Sequence, residues 1–339
     1  MINIFISSNR PYLPGIKVLM YSLKETQTED FTVYFACYRD KQLEQEVLSF
    51  SREIGVNCQI ISLEGKIQDT YDKMYSVHHL LRITIECFTR ILSPNIFPDT
   101  MDRVLWLDTD IVVTKDLSEF YHQSFDDNYI ISAHGFCRPK DMYNLFHGHP
   151  ELVDVNKLNN DRCKETEIKS SVVIFNLELL RTVPTFSLDR LCNILIAEAP
   201  LWWCDQSLLS MLCYGAIKYF DKNKVNPDIL IGIKYYDKIF KKDIAYECLG
   251  IEYDDTEESY DKYNQKVNAA YSWRVYENNG LMIHYTNSTK PWDPEVRKYV
   301  QGYNDRDNQT WYECEQRMND FLSNKKTYKS IFNLKKLLI

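Results

Sequence analysis

Two aspartates interrupt a run that otherwise has the composition of buried strand. In DRVLWLDTDIVVTKDL, residues 102–117, the apolar stretches 104–107 and 111–113 enclose Asp108 and Asp110. A carboxylate among apolar neighbours needs a cation or a proton. Burying its charge alone costs several kcal/mol or raises its pKa until it is neutral. In extended chain, residues i and i+2 face the same side, with Cα atoms roughly 6–7 Å apart. Two carboxylates so placed can share one divalent cation that prefers oxygen ligands, Mn2+ or Mg2+. The plainer alternative is a solvated pair capping a turn at the strand end.

The elements around this pair follow from the pattern of the chain. Short apolar strands alternate with helix-like segments, the pattern of an α/β domain. Strands are expected at 2–6, 31–37, 57–63, 104–113, 129–135 and 170–180. Helices are expected through 18–24, over 41–54 with a stop at Gly55, through 79–91 and within 187–215. The segment 221–280 is acidic, irregular and rich in tyrosine. Its Tyr235, Tyr236, Tyr246, Tyr253, Tyr260, Tyr263 and Tyr271 offer aromatic faces to a glycan or pack on the core. With 339 residues, 45% hydrophobic and 26% charged, the chain can bury a sizeable core. A formal charge of −8 argues against nucleic acid as a partner. The 10 cysteines form no CxxC pair and no zinc spacing, which points to reduced core thiols in a cytoplasmic protein. The N-terminus lacks the basic and apolar regions of a signal peptide, and no run is long enough to span a membrane. In open α/β sheets ligands bind beyond the carboxyl ends of the strands, where Asp108 falls.

A phosphatase of the haloacid dehalogenase type also uses DxDx(T/V) after an apolar strand, with a nucleophilic and a general-acid Asp, and WLDTDIV fits that string. Such a strand opens its core, whereas here roughly a hundred residues come first and no GDxxxD-like motif follows. Six separated motifs favour another family. They are SSNRPYLPGIKVLMYSL after the first strand, Arg82 in HHLLRITI, VLWLDTDIVVTKDLSEF, SSVVIFNLELLR, WWCDQSLLSML and MIHYTNSTKPW. In this order, over about residues 2–295, the sequence resembles the family 8 glycosyltransferases, retaining enzymes with the GT-A fold. The resemblance implies a Rossmann-like α/β/α domain with a mixed, mostly parallel sheet. It also implies a UDP-sugar donor, most simply of galactose or glucose, and a glycan or glycolipid acceptor in surface-glycan synthesis. Mn2+, or Mg2+, would sit on the diphosphate. Asp108, Asp110 and His284 match the metal ligands. Ser7, Ser8, Tyr12, Arg82, Thr109, Asn287 and Lys290 match donor-binding positions, with Lys290 on the diphosphate. Asp205 and Gln206 match the pair beneath the sugar, for which electrostatic support of an oxocarbenium-like transition state is implied.

Three stretches depart from the family pattern. Ser8 and Asn9 replace an Asp pair that touches uracil, Lys169-Ser170-Ser171 replaces Asn-Ala-Gly, and Asn287 replaces a glycine. These changes leave room for a relative that binds sugar nucleotide or glycan without turnover. The expected organisation is a catalytic domain over 1–295, its nucleotide-sugar half about 1–180 and its acceptor half about 181–295. A helical, basic tail occupies 296–339. Within the tail, 324–339 carries Lys325, Lys326, Lys329, Lys335 and Lys336, no acidic residue, and an apolar set at helical spacing. Such a segment suits peripheral contact with an anionic membrane, or packing on the domain.

Overall fold

The computed structural model describes residues 1–77, 84–134, 168–198, 204–220, 280–285, 290–294, 297 and 306–337. A seven-stranded sheet runs through the middle in the order β3-β2-β1-β4-β7-β6-β8. Its strands are β1 Ile2–Ser7, β2 Phe31–Ala36, β3 Asn57–Ile60, β4 Arg103–Leu107, β6 Ile130–His134, β7 Ile168–Asn176 and β8 Ile217–Phe220. The pairs β1–β2, β2–β3, β1–β4 and β6–β8 are parallel, while β7 runs antiparallel to both β4 and β6. A second, two-stranded sheet joins β5 Ile111–Val113 to β9 Met282–His284, antiparallel.

The central strands are covered on both faces, which is why INIFIS and RVLWL are nearly continuous apolar runs. On one face, Ile4, Ile6, Leu105, Leu107 and Ile174 pack against α1 Leu13–Thr26, α2 Lys41–Ile54, α5 Ser118–Tyr121 and the small sheet. On the other, Phe5, Val104, Trp106, Val173 and Phe175 meet α3 Lys66–Val77, α4 Ser93–Ile96 and the helices that follow β7. Helix α2 shows the local logic. Asp40 caps it by accepting from Leu43 N at 2.9 Å, Leu43, Val47, Phe50 and Ile54 form its buried stripe, and Gly55 ends it at φ 79°.

The strands and helix α2 expected from the sequence are present, with ends shifted by a few residues, except that the run expected over 104–113 breaks at the turn 109–110 into β4 and β5, which lie in different sheets. Three further departures have physical causes. The strand expected over 170–180 stops at Asn176, whose side chain accepts from Leu179 N at 3.2 Å and starts helix α6 Leu177–Arg181. Within the helix expected through 79–91, residues 78–83 lie outside the described set. Residues Ile85–Leu92 form a 3-10 helix, followed by α4 with Pro94 in its first turn. The stretch 187–215 divides into α7 Leu188–Glu198 and α8 Asp205–Leu212. Of the Tyr-rich segment, 221–279 lies outside the described residues. The last helix, α9 Arg306–Leu337, returns to pack Trp311, Cys314 and Met318 into the α1 face.

Candidate functional site

Strand β4 ends at Leu107, and Asp108 continues its ladder by donating its N–H to Ser171 O at 2.9 Å. The chain turns at 109–110 and enters β5. There β9 is paired in a register that puts Ile111 opposite His284, while Tyr285 N donates to Asp110 O. Residues far apart in sequence thus meet because a short antiparallel ladder sets their register. Ligand atoms of Asp108, Asp110 and His284 all lie within 4.8 Å of one another.

Each aspartate divides its two oxygens in the same way. Asp108 Oδ1 accepts from Arg90 Nη2 at 2.9 Å and from Trp106 Nε1 at 2.8 Å, while its Oδ2 lies 3.8 Å from His284 Nε2. Asp110 Oδ2 lies 2.5 Å from Lys290 Nζ, and its Oδ1 lies 3.1 Å from His284 Nε2. One oxygen of each carboxylate is held by a cationic side chain and the other is turned toward the imidazole. Partners of this kind orient metal ligands before the ion arrives. Two carboxylates and an imidazole form a donor set suited to Mn2+, with Mg2+ a poorer match for the nitrogen. The residues therefore fit a divalent ion. Burial alone would raise the Asp110 pKa, but Lys290 and then His284 outweigh it and hold the carboxyl far below the usual range.

Arg90 is the buried centre of the site and was not among the residues expected from the sequence. Only 2% exposed, it stacks over Trp106 at 4.3 Å from the ring centroid. It donates to Asp108, to Ser170 O and to Cys87 O, and its Nε lies 3.2 Å from Asp205 Oδ2. The available signal was an arginine inside the otherwise apolar run IECFTRIL, because a charge in such a run must find a partner. Arg82, the arginine expected to contact the donor, lies outside the described residues, as does Asn287.

The other expected residues line the same strand ends. Ser8 Oγ and Thr109 Oγ1 are 3.1 Å apart, and Ser7 Oγ donates to Thr89 Oγ1 at 3.2 Å. Tyr12 meets Trp292 edge-on, with Lys290 Nζ 5.6 Å from its ring centroid, and burial pushes its hydroxyl pKa up. Gln206 Oε1 accepts from Ser170 N at 3.2 Å, which ties α8 to the start of β7. Asp205, its neighbour, is 5% exposed. Burial, opposed by Arg90 and reinforced by Asp108, pushes its pKa up to about 6. Cys204, just before it, holds φ 52° and ψ −116°, a strained conformation for a non-glycine residue.

A family model for glycosyl transferase family 8 matches residues 3–295. No curated protein sequence matches significantly. Among solved structures, the galactosyltransferase LgtC, in complex with donor and acceptor sugar analogs, aligns with TM-score 0.56 and 17% identity, covering 92% of this chain and 95% of that one. The glycosyltransferase GlyE from Streptococcus pneumoniae TIGR4 aligns with TM-score 0.54 and 18% identity, over 97% of this chain and 65% of that one. Mouse xyloside xylosyltransferase 1 aligns with TM-score 0.51 and 15% identity, over 86% and 98%. At such identities these likenesses speak for the shared GT-A architecture. With the family model spanning both aspartates, the sheet and the His284–Lys290 loop, the chain belongs to glycosyl transferase family 8.

Proposed function

We propose that this glycosyltransferase is a retaining, metal-dependent hexosyltransferase that moves galactose or glucose from a UDP-sugar to a glycan or glycolipid acceptor. The observation that carries the reading is the paired geometry of Asp108 and Asp110. Each gives one oxygen to a fixed cation, Arg90 or Lys290, and one toward His284. Asp108, Asp110 and His284 would hold Mn2+, or Mg2+, which when bound supplies Lewis-acid stabilisation to the charge developing on the leaving diphosphate.

The chain's own groups do the rest. Lys290, 8% exposed at the edge of the carboxylate pair, places a second positive charge where the diphosphate leaves. Arg90 fixes the orientation of Asp108 and Asp205 together, so the donor side of the pocket is organised before substrate enters. Asp205 and Gln206 stand at the start of α8 beneath the sugar position. Gln206 is a poor nucleophile with its carbonyl engaged by Ser170, which favours front-face attack with charge support over a covalent intermediate. A phosphatase would need Asp110 to deliver a proton, and Lys290 with His284 keeps it ionised. That LgtC is a galactosyltransferase solved with donor and acceptor sugar analogs supports a sugar donor and a sugar acceptor here. In this reading 1–180 is the nucleotide-sugar half, 181–295 the acceptor half, and the tail 324–339 a peripheral contact with anionic membrane. Among the described residues no helix is long and apolar enough to cross a membrane.

The test is a panel of UDP-sugars with Mn2+, followed by NMR of the released or transferred sugar. Release of UDP from one donor, lost in EDTA, and a product keeping the α configuration are expected. Full transfer in EDTA would overturn the metal assignment, and a β-configured product would overturn retention.

A further inference from the structure

Glu86, on the 3-10 helix that also carries Arg90, leaves one oxygen of its carboxylate without a hydrogen-bond partner. It is 4% exposed. Its Oε1 accepts from Tyr38 N at 3.3 Å, and its Oε2 is fully buried without a hydrogen-bond partner. A buried carboxylate oxygen left unpaired costs on the order of 1–3 kcal/mol, and more when charged, unless something else supplies a donor. Burial accordingly pushes the Glu86 pKa up, with backbone N–H groups and the Thr84 hydroxyl opposing.

Its position says what can supply that donor. The 3-10 helix Ile85–Leu92 crosses the carboxyl ends of three adjacent strands. Glu86 bonds to Tyr38 just beyond β2, Thr89 meets Ser7 at the end of β1, and Arg90 reaches Asp108 at the end of β4. In a 3-10 helix residues i and i+3 eclipse, so Glu86 and Thr89 share one side. The metal cluster is at the β4 end, and Glu86 is two strand spacings away, about 10 Å. A nucleotide held by its diphosphate at Asp108 and Asp110 and laid across these strand ends brings its base toward β2. Asn9, at the β1 end, has a second buried acceptor without a partner, its Oδ1.

We propose that Glu86 reads the base of the donor nucleotide, its Oε2 accepting the ring N–H of a uracil- or guanine-type base. Cytosine and adenine present a bare ring nitrogen at the equivalent edge, which would face the carboxylate lone pairs. The proposal rests on the nucleotide-sugar reading above. A site built to bond one hydrogen discriminates strongly against an analogue lacking it, because the buried acceptor is then left unpaired.

The experiment measures binding of UDP, GDP, CDP, ADP and N3-methyl-UDP, each with Mn2+, to the wild-type chain and to Glu86→Gln, with inorganic pyrophosphate as the base-free reference. In Glu86→Gln the Tyr38 N–H retains the amide oxygen, so the NH2 group stands where Oε2 was and donates instead of accepting. Wild type should favour UDP or GDP over CDP, ADP and N3-methyl-UDP by about tenfold or more. The variant should lose about tenfold for the favoured nucleotide, gain for CDP or ADP, and bind pyrophosphate unchanged. Equal wild-type affinity for UDP and N3-methyl-UDP, or an unaltered base profile in the variant, would overturn the role of Glu86 while leaving the donor class standing. Equal loss for all nucleotides and pyrophosphate would reduce Glu86 to a structural part. No binding of any nucleoside diphosphate to the wild type would overturn the donor reading itself.

Discussion

Asp110 is held between a lysine and a histidine, and its replacement acts on two quantities at once. Asp110→Asn removes a carboxylate oxygen that faces His284 and also leaves Lys290 buried without its counter-charge. Breaking a buried pair from one side costs about 3–5 kcal/mol. Activity should fall by about 10²–10³, and the denaturation midpoint should fall as well. Asp110→Asn with Lys290→Met should regain much of the lost stability with no return of activity, as a thermodynamic cycle with the single variants would measure. Asp205 behaves in the opposite sense. Its ordinary pKa near 3.8 is pushed up to about 6 by burial, despite Arg90, so the folded chain binds that proton more tightly than the unfolded chain. Its contribution to stability is full below 3.8 and is lost as pH rises toward 6. Above that the buried charge costs about 3 kcal/mol. Asp205→Asn should flatten the decline of thermal stability between these two pH values and be at least as stable as wild type at neutral pH. Arg90 keeps Asp108 and two carbonyls as partners. An Asp205→Asn variant less stable than wild type at neutral pH would refute this account.

Among the elements, α1 passes close to the turn that carries the aspartates. A Cβ on Gly15 would come within 2.4 Å of Thr109 O and 2.9 Å of the Trp292 ring, so only glycine lets the helix approach both. The obstacle on one side is backbone, which cannot swing away as a flexible side chain can. Gly15→Ala should therefore displace the turn at Thr109, weaken Mn2+ binding more than tenfold and cost about 1–3 kcal/mol. Mn2+ titration followed by electron paramagnetic resonance would measure it, and unchanged affinity would show that the turn moves freely. The same loop is buttressed from the far end of the chain. Trp311 on α9 lies 5.2 Å from Trp292 and 5.4 Å from Tyr285, while Tyr312 donates to Pro291 O at 3.0 Å. The first turns of α9 are thus part of the wall behind His284 and Lys290, although they lie beyond the residues that the family model matches.

Over the whole molecule this divides the C-terminal region into two parts with different expected behaviour. Trp311, Cys314 and Met318 belong to the core, and Trp311→Ala should cost about 3–5 kcal/mol. Arg317 also pairs with Glu25 of α1, and Lys325 Nζ reaches Glu53 O at the end of α2. Removing 324–339 leaves that packing nearly whole, so the shortened chain should fold and keep the donor hydrolysis of the full chain. Its sedimentation with anionic vesicles should fall, because each lysine near such a surface is worth about 1 kcal/mol. Unchanged vesicle binding, or an unfolded product, would assign the tail to packing instead.

What the sequence determined by itself is the strands β1 to β7, α2 and the carboxylate pair Asp108 and Asp110, whereas β8 and β9 were not read from it. Apolar runs flanked by turns announce strands covered on both faces, and a cap with a terminal glycine announces a helix. Asp108 and Asp110 were legible because two carboxylates in an apolar run demand a cation. His284 and Lys290 were legible only through the family resemblance, since nothing local says that the β5–β9 ladder brings His284 back to Asp110, or that Lys290, 180 residues away, follows it there. Tertiary structure alone decided that Arg90 joins Asp108 to Asp205, that Gly15 admits the Thr109 turn, and that Glu86 stands across the strand ends with one oxygen unpaired. Each of those facts is a meeting of distant segments. Local propensity and periodicity describe which face of an element is buried, and carry no record of what the rest of the chain will bring against it.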